Sequence, residues 1–227
     1  MLALMQKLLN LEKGPIAVAF LTAPPEGVAK YDGAAVPAGC TFWKLAMEGK
    51  TFYTVPSDHY NCAVGSYTHN IALPAERAAE LEQTIGLMVE NKYLDMAEVP
   101  GIPVIPNSPA VVAYGPVDSA PFTPDAVLVA AKPAQAMFIY EAALKAGAGN
   151  ALTSVLGRPG CAVLPLQTTS LSFGCMGNRV FTGIGDGEMY VSIPGAKYAA
   201  VVAKLQEVVT ANCNMEAVYR QKLVTIA

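Results

Sequence analysis

Five cysteines (Cys40, Cys62, Cys161, Cys175 and Cys213) and two histidines (His59 and His69) carry most of the chemistry this chain could perform. Ser57–His69 holds both histidines, Cys62 and two tyrosines, Gly160–Pro165 carries Cys161 at its start, and Cys175 lies between Gly174 and Gly177. Soft thiolates select iron–sulfur clusters, zinc or copper(I) over hard cations. Cys62, Cys161 and Cys175 are therefore the candidate metal ligands, with Cys40, His59 or His69 to complete the set. The leading assignment is an iron–sulfur cluster, with zinc or no cofactor as the alternatives. Taken singly, a free cysteine is most often a small buried hydrophobe, and Cys213, in an amphipathic helical context, is assigned to packing.

The other candidates are weaker. Arg179 could grip a carboxylate or phosphate with both arms of its guanidinium. Lys132-Pro133-Ala-Gln135 opens a predicted helix, where backbone N–H groups favour an anion. Asp58 beside His59 could orient an imidazole as base for a Cys62 nucleophile. Asp186 and Glu188 belong to a turn, and Trp43, with Phe42 and Ala46 near it at helical spacing, reads as core. The sequence contains no phosphate loop, nucleophile elbow, His-Glu-x-x-His or Cys-x-x-Cys, and it names no reaction.

These residues need a scaffold, and the composition bounds it. The 227 residues are 53% hydrophobic and 15% charged, against roughly 25% charged in ordinary soluble domains. With 15 basic and 18 acidic side chains, a net charge of −3 and no basic cluster, the chain lacks the phosphate-neutralising charge that nucleic-acid binding needs. A membrane span is also disfavoured. Val99–Val117 is uncharged, yet it is broken by Pro100, Pro103, Pro106, Pro109 and Pro116; Pro159–Asn178 is broken by Pro159, Pro165, glycines and hydroxyl residues. The N-terminus is apolar before it is basic, the reverse of an export signal, and reads as the first turns of an amphipathic helix. A cytoplasmic, reducing location follows, with free thiols and no disulfides.

Along the chain, Pro15–Phe20 and Pro109–Tyr114 are similar apolar runs opened by proline, each a predicted buried strand. Cys-Ala-Val recurs at Cys62 and Cys161 with similar spacing, and one helical stretch lies between the anchors of each half, Cys40–Gly49 and Pro133–Gly147. The expected organisation is a single compact α+β domain of two related α/β lobes, an internal pseudo-repeat. Lobe one covers about residues 14–74, a linker helix and proline-rich connector 74–109, and lobe two about 109–178. A C-terminal hairpin and helices occupy 179–227, with strands at Arg179–Ile184 and Glu188–Ile193 about an Asp-Gly turn and helices at Lys197–Thr210 and Met215–Leu223. The thiols would then flank an inter-lobe cleft.

Cys40-Thr-Phe-Trp43, Tyr60-Asn-Cys-Ala-Val-Gly65, Lys132-Pro-Ala-Gln-Ala-Met137, Gly157-Arg-Pro-Gly-Cys161 and Phe173-Gly-Cys-Met-Gly-Asn-Arg179 together resemble a prokaryotic family, domain of unknown function 169 (DUF169), over about residues 15–194. The resemblance implies that Cys40, Cys62, Cys161, Cys175, Gln135 and Arg179 are the family's motif positions. It gives Cys40 added weight and the histidines none, and the family's occurrence in anaerobic archaea and bacteria suits oxygen-sensitive thiolate chemistry.

The resulting expectation is a cytoplasmic protein with Cys62, Cys161 and Cys175 as metal ligands and Cys40, Gln135 and Arg179 as further cofactor-binding residues. Arg179 and the helix start at Pro133 would hold an anionic ligand nearby, and a redox role would follow. A small-ligand or hydrophobic-cofactor module with cysteines lining an apolar pocket is the first alternative, and a cysteine-nucleophile enzyme the second. The remaining shortage of charge predicts a self-association surface and a homodimer.

Overall fold

A sheet of seven strands organises the computed structural model, which describes residues 4–149, 153–154 and 160–226. The strands are β1 (Ile16–Leu21), β2 (Phe52–Thr54), β3 (Val111–Pro116), β4 (Ala126–Ala131), β5 (Thr153–Ser154), β6 (Ser170–Ser172) and β7 (Met189–Pro194). Their order across the sheet is β2-β3-β1-β4-β7-β6-β5, antiparallel throughout except for the β5 and β6 pair. The helices are α1 (Leu4–Leu9), α2 (Thr41–Met47), α3 (Ala63–Thr68), α4 (Glu80–Glu90), α5 (Pro133–Lys145), α6 (Met176–Thr182) and α7 (Gly195–Ile226), so the chain is α+β.

The central strands are nearly all apolar because both sheet faces are covered, and alternate side chains serve opposite layers. Val127, Val129 and Ala131 of β4 pack with Met5, Ile139, Val201 and Leu205 from α1, α5 and α7. Ala126, Leu128 and Ala130 face the other way, onto Phe42 and Trp43 of α2 and onto Cys161 and Val163. Trp43 is fully buried there, edge-on to Tyr190 with ring centroids 5.2 Å apart. The second layer carries the site.

The expected strands at Pro15–Phe20 and Pro109–Tyr114 are β1 and β3, which pair directly with Val18 opposite Tyr114. The halves of the expected repeat thus contribute to one sheet, with β1 between β3 and β4. The repeat's helices, α2 and α5, lie on opposite faces of that sheet. The repeat's second anchor differs too, since Cys62 caps an α-helix whereas Cys161 lies in a one-turn 3-10 helix, Gly160–Val163.

The predicted C-terminal hairpin is also different. Met176–Thr182 is helix α6, ended by Gly183 at φ 67°, and the Asp186 turn leads from it into β7, which pairs with β4 and β6. The tail forms one helix of 32 residues instead of two. Helix α1 takes up the amphipathic N-terminus from Leu4; Met1–Ala3 and the Gly157–Pro159 part of the family motif lie outside the described residues. Among the described residues, no helix is long and apolar enough to cross a membrane.

Candidate functional site

Cys40, Cys62, Cys161 and Cys175 line one cavity of about 670 Å³. Cys40 stands immediately before α2, while Cys62 and Cys175 are the N-cap residues of α3 and α6. Each cap sulfur accepts a backbone N–H three residues on: Cys62 Sγ from Gly65 at 3.3 Å and Cys175 Sγ from Asn178 at 3.3 Å. The local sequence permits this folding back. A Cβ on Gly65 would lie 3.2 Å from Cys62 Sγ, and Gly174, at φ +75°, turns the chain from β6 into the Cys175 cap where a Cβ would meet Asn178 Oδ1 at 2.6 Å. Cys161 is the most buried of the four, its sulfur 3.0 Å from Thr68 Oγ1.

All the cysteines are free, and in the cavity each thiolate that formed would disfavour the next. Burial pushes Cys40 up to about 12, helped by the charges Cys175 and Cys62 would carry, while the Asn178 amide opposes the shift. Burial likewise raises Cys62, with Cys175 adding to it. Cys161 is raised well above the ordinary range by burial and then by Cys62, Cys175 and Cys40. Every pairing among the four is therefore within electrostatic reach, and without a cation Cys40, Cys62 and Cys161 stay protonated near neutrality.

The histidines do not activate a thiolate. His59 Nε2 is 2.8 Å from Thr54 Oγ1, beneath an edge-on Phe42, and burial lowers its pKa to about 3. His69 lines the cavity, but its Nδ1 donates to Gly65 O at 2.6 Å, and burial lowers it to about 4. Asp58 accepts the Val55 N–H and closes a turn, leaving His59 unoriented by it. The Cys62 thiol is raised where an activated cysteine–histidine pair would have it lowered, and each imidazole uses one nitrogen on another group, His59 on Thr54 and His69 on Gly65.

Two expected cofactor residues are elsewhere. Gln135 takes the Lys132 N–H on its Oε1 at 2.7 Å and donates to Leu9 O at 3.0 Å, so it closes the start of α5 and ties α1 to it. Lys132 itself pairs with Glu12 at 2.6 Å. Arg179 is not among the residues that line the cavity and spends its donors on Phe173 O at 2.8 Å and Gly185 O at 2.9 Å, strapping the turn that follows α6. Gln135 and Arg179 thus both spend their hydrogen bonds on main chain, and neither is among the residues that line the cavity.

Sequence reasoning overlooked Thr68, Asn178 and the roof of the cavity. Asn178 follows the Cys175 cap and is buried, a position its spacing from the cysteine could have signalled. The roof is α4 with the segment after it, and Tyr93 fastens it by accepting the Met176 N–H at 3.1 Å. No local pattern marks Thr68 or Tyr93.

The pattern of the DUF169 family, described as Uncharacterised ArCR, matches residues 4–204. The chain belongs to this family. It is also similar to the uncharacterized protein MJ0308 of Methanocaldococcus jannaschii, 23% identical over 214 residues that cover 89% of this chain and 91% of that one. No solved structure matches. The thiol cavity thus lies within the span of a DUF169 domain. Among the described residues, no group of three or more His, Cys, Asp or Glu is spaced to hold a single metal ion.

Proposed function

We propose that this protein is a cofactor carrier in which Cys40, Cys62, Cys161 and Cys175 hold an iron–sulfur cluster at the floor of the cavity. The observation that carries the reading is the convergence of four thiols from four separate segments on one cavity, each within electrostatic reach of the other three. Four ligands of one tetrahedral zinc, at Zn–S about 2.3 Å, would sit about 3.8 Å apart, and no such group occurs among the described residues. A cluster distributes its thiolates over several irons and so suits a wider cage. The N–H groups of Gly65 and Asn178, already on Cys62 Sγ and Cys175 Sγ, would then be donors to the ligand sulfurs, a type of contact that tunes reduction potential.

The test is anaerobic reconstitution with ferrous iron and sulfide, followed by iron and acid-labile sulfide analysis and a visible spectrum. The reading expects equal iron and sulfide with a broad charge-transfer band, both lost in Cys62→Ser and Cys175→Ser. A folded, colourless protein without iron or sulfide would overturn it. The reading places the protein in a reducing, cytoplasmic setting and a redox role. It also includes a homodimer, supported by the exposed apolar residues Met215, Val218, Tyr219 and Leu223 on the outer part of α7; sedimentation at monomer mass would remove that element.

A further inference from the structure

The cavity is larger than its thiol floor, and its upper part has a chemistry of its own. Leu81, Ile85 and Met88 of α4, with Leu94 and Phe181, wall it with hydrocarbon, and among the described residues neither lysine nor arginine lines it. One buried polar atom at the floor is left without a hydrogen-bond partner, His69 Nε2, in a residue 2% exposed, while the equally buried carboxamide of Asn178 reaches toward Cys40 and Tyr190. Because His69 Nδ1 gives its proton to Gly65 O, Nε2 carries a lone pair and can only accept. Asn178 stands beside Cys40, and His69 is bonded to the main chain of the helix that Cys62 caps, so both polar groups lie with the thiols at one end of the chamber. Buried polar groups are nearly always satisfied, and an exception asks for a missing partner. An apolar chamber of this volume, with a few convergent polar groups, has the anatomy of a small-molecule site.

We propose that the space under α4 binds an uncharged, largely hydrocarbon small molecule that carries one hydroxyl or N–H group, donated to His69 Nε2 at the thiol end. The assignment rests on the thiol-cofactor reading only for what lies beside the ligand. Anions are disfavoured, because Glu80 lines the same chamber and burying a second carboxylate or a phosphate beside it is far more costly than burying a hydroxyl. The group accepted by His69 orients the molecule so that its polar end abuts the four sulfurs and its apolar end lies under Ile85 and Met88. The neutrality that burial imposes on His69 keeps it an acceptor across the physiological range.

The probes are 2-naphthol, naphthalene and 2-naphthoate at pH 7, titrated into metal-free and into reconstituted full-length protein by calorimetry. Binding is located by the methyl signals of Met88 and Met176 in protein labelled at methionine. The proposal expects saturable binding of 2-naphthol, about fivefold tighter than naphthalene for one added hydrogen bond, with 2-naphthoate at least tenfold weaker. Ile85→Trp, which fills the chamber from a half-buried roof position, should lose at least tenfold in 2-naphthol affinity. The proposal is overturned if 2-naphthol fails to bind either form, if 2-naphthoate binds equally well, or if the Met88 and Met176 signals do not move. Iron and sulfide contents report the cluster separately: a protein that takes up neither and still binds 2-naphthol retains this site and loses the other reading.

Discussion

The reactivity of Cys40 toward an aromatic disulfide offers a sharp test of the cavity's electrostatics. In the metal-free protein, burial and the neighbouring thiols push Cys40 from the usual 9.0 to about 12. At pH 8 this leaves about a thousandth of the thiolate that an ordinary thiol would have. The more basic thiolate is also the better nucleophile, and a Brønsted slope near 0.45 returns about 20-fold, so the net rate is about 50-fold slower before any steric hindrance. The measurement is residue-resolved mass spectrometry of protein quenched at intervals after adding 5,5′-dithiobis(2-nitrobenzoate), with exposed Cys213 as internal reference. Cys40 should lag Cys213 by about 50-fold or more at pH 8, and its rate should keep rising tenfold per pH unit through pH 10. Labelling of Cys40 as fast as Cys213, or a rate that levels off below pH 10, would refute the reasoning. Iron must displace the same protons, so cluster assembly should release protons and proceed faster as pH rises.

Three further outcomes follow from the same structure. His59 and His69, with pKa values lowered to about 3 and about 4, are neutral when folded, whereas the unfolded chain takes up their protons near pH 6.5. Stability is therefore full above pH 6.5 and falls as pH drops, by about 2.7 kcal/mol per pH unit for two protons between pH 6 and 4.5; urea titrations at pH 7 and 5 should differ accordingly, and His69→Phe should halve the slope. Thr68→Val removes the hydroxyl that meets Cys161 Sγ at 3.0 Å and Gly65 O at 2.9 Å. It should cost about 1–2 kcal/mol in chemical denaturation, with Thr68→Ser restoring most of it, and an unchanged midpoint would contradict the assigned bonds. Gly195→Ala sets a Cβ 1.8 Å from the Pro124 carbonyl oxygen, where only backbone movement can relieve it; a loss of at least about 2 kcal/mol is expected, and one below half a kilocalorie would show that the α7 start is looser than described.

Some elements could be read directly from local sequence. The apolar runs after Pro15 and Pro109 became β1 and β3, Pro133 opened α5 at its first position, and the Val201, Leu205 and Val208 face of α7 lies on the sheet. Arg179–Ile184 could not. Val180, Phe181 and Thr182 favour strand locally, but Cys175 caps the segment as a helix and Gly183 stops it in the left-handed conformation. The apolar stripe of Leu81, Ile85 and Met88 is legible as a helix face, yet not which surface it meets: it roofs a cavity and leaves α4 without a fully buried residue.

By itself the sequence determined the chemical inventory: four thiols set among glycines, no cationic cluster, and strands apolar enough to be buried on both faces. Membership in the DUF169 family follows from the same residues. Only the tertiary structure decided that Gln135 and Arg179 hold main chain while Cys40, Cys62, Cys161 and Cys175 meet in one cavity. The reason is that residue type sets what a group can bond, whereas strand pairing and helix packing across long sequence separations set which partners reach it. His69 shows the division, since its imidazole is plain from the sequence, and the free lone pair on Nε2 exists because the fold gives Nδ1 to Gly65 and nothing to the other nitrogen.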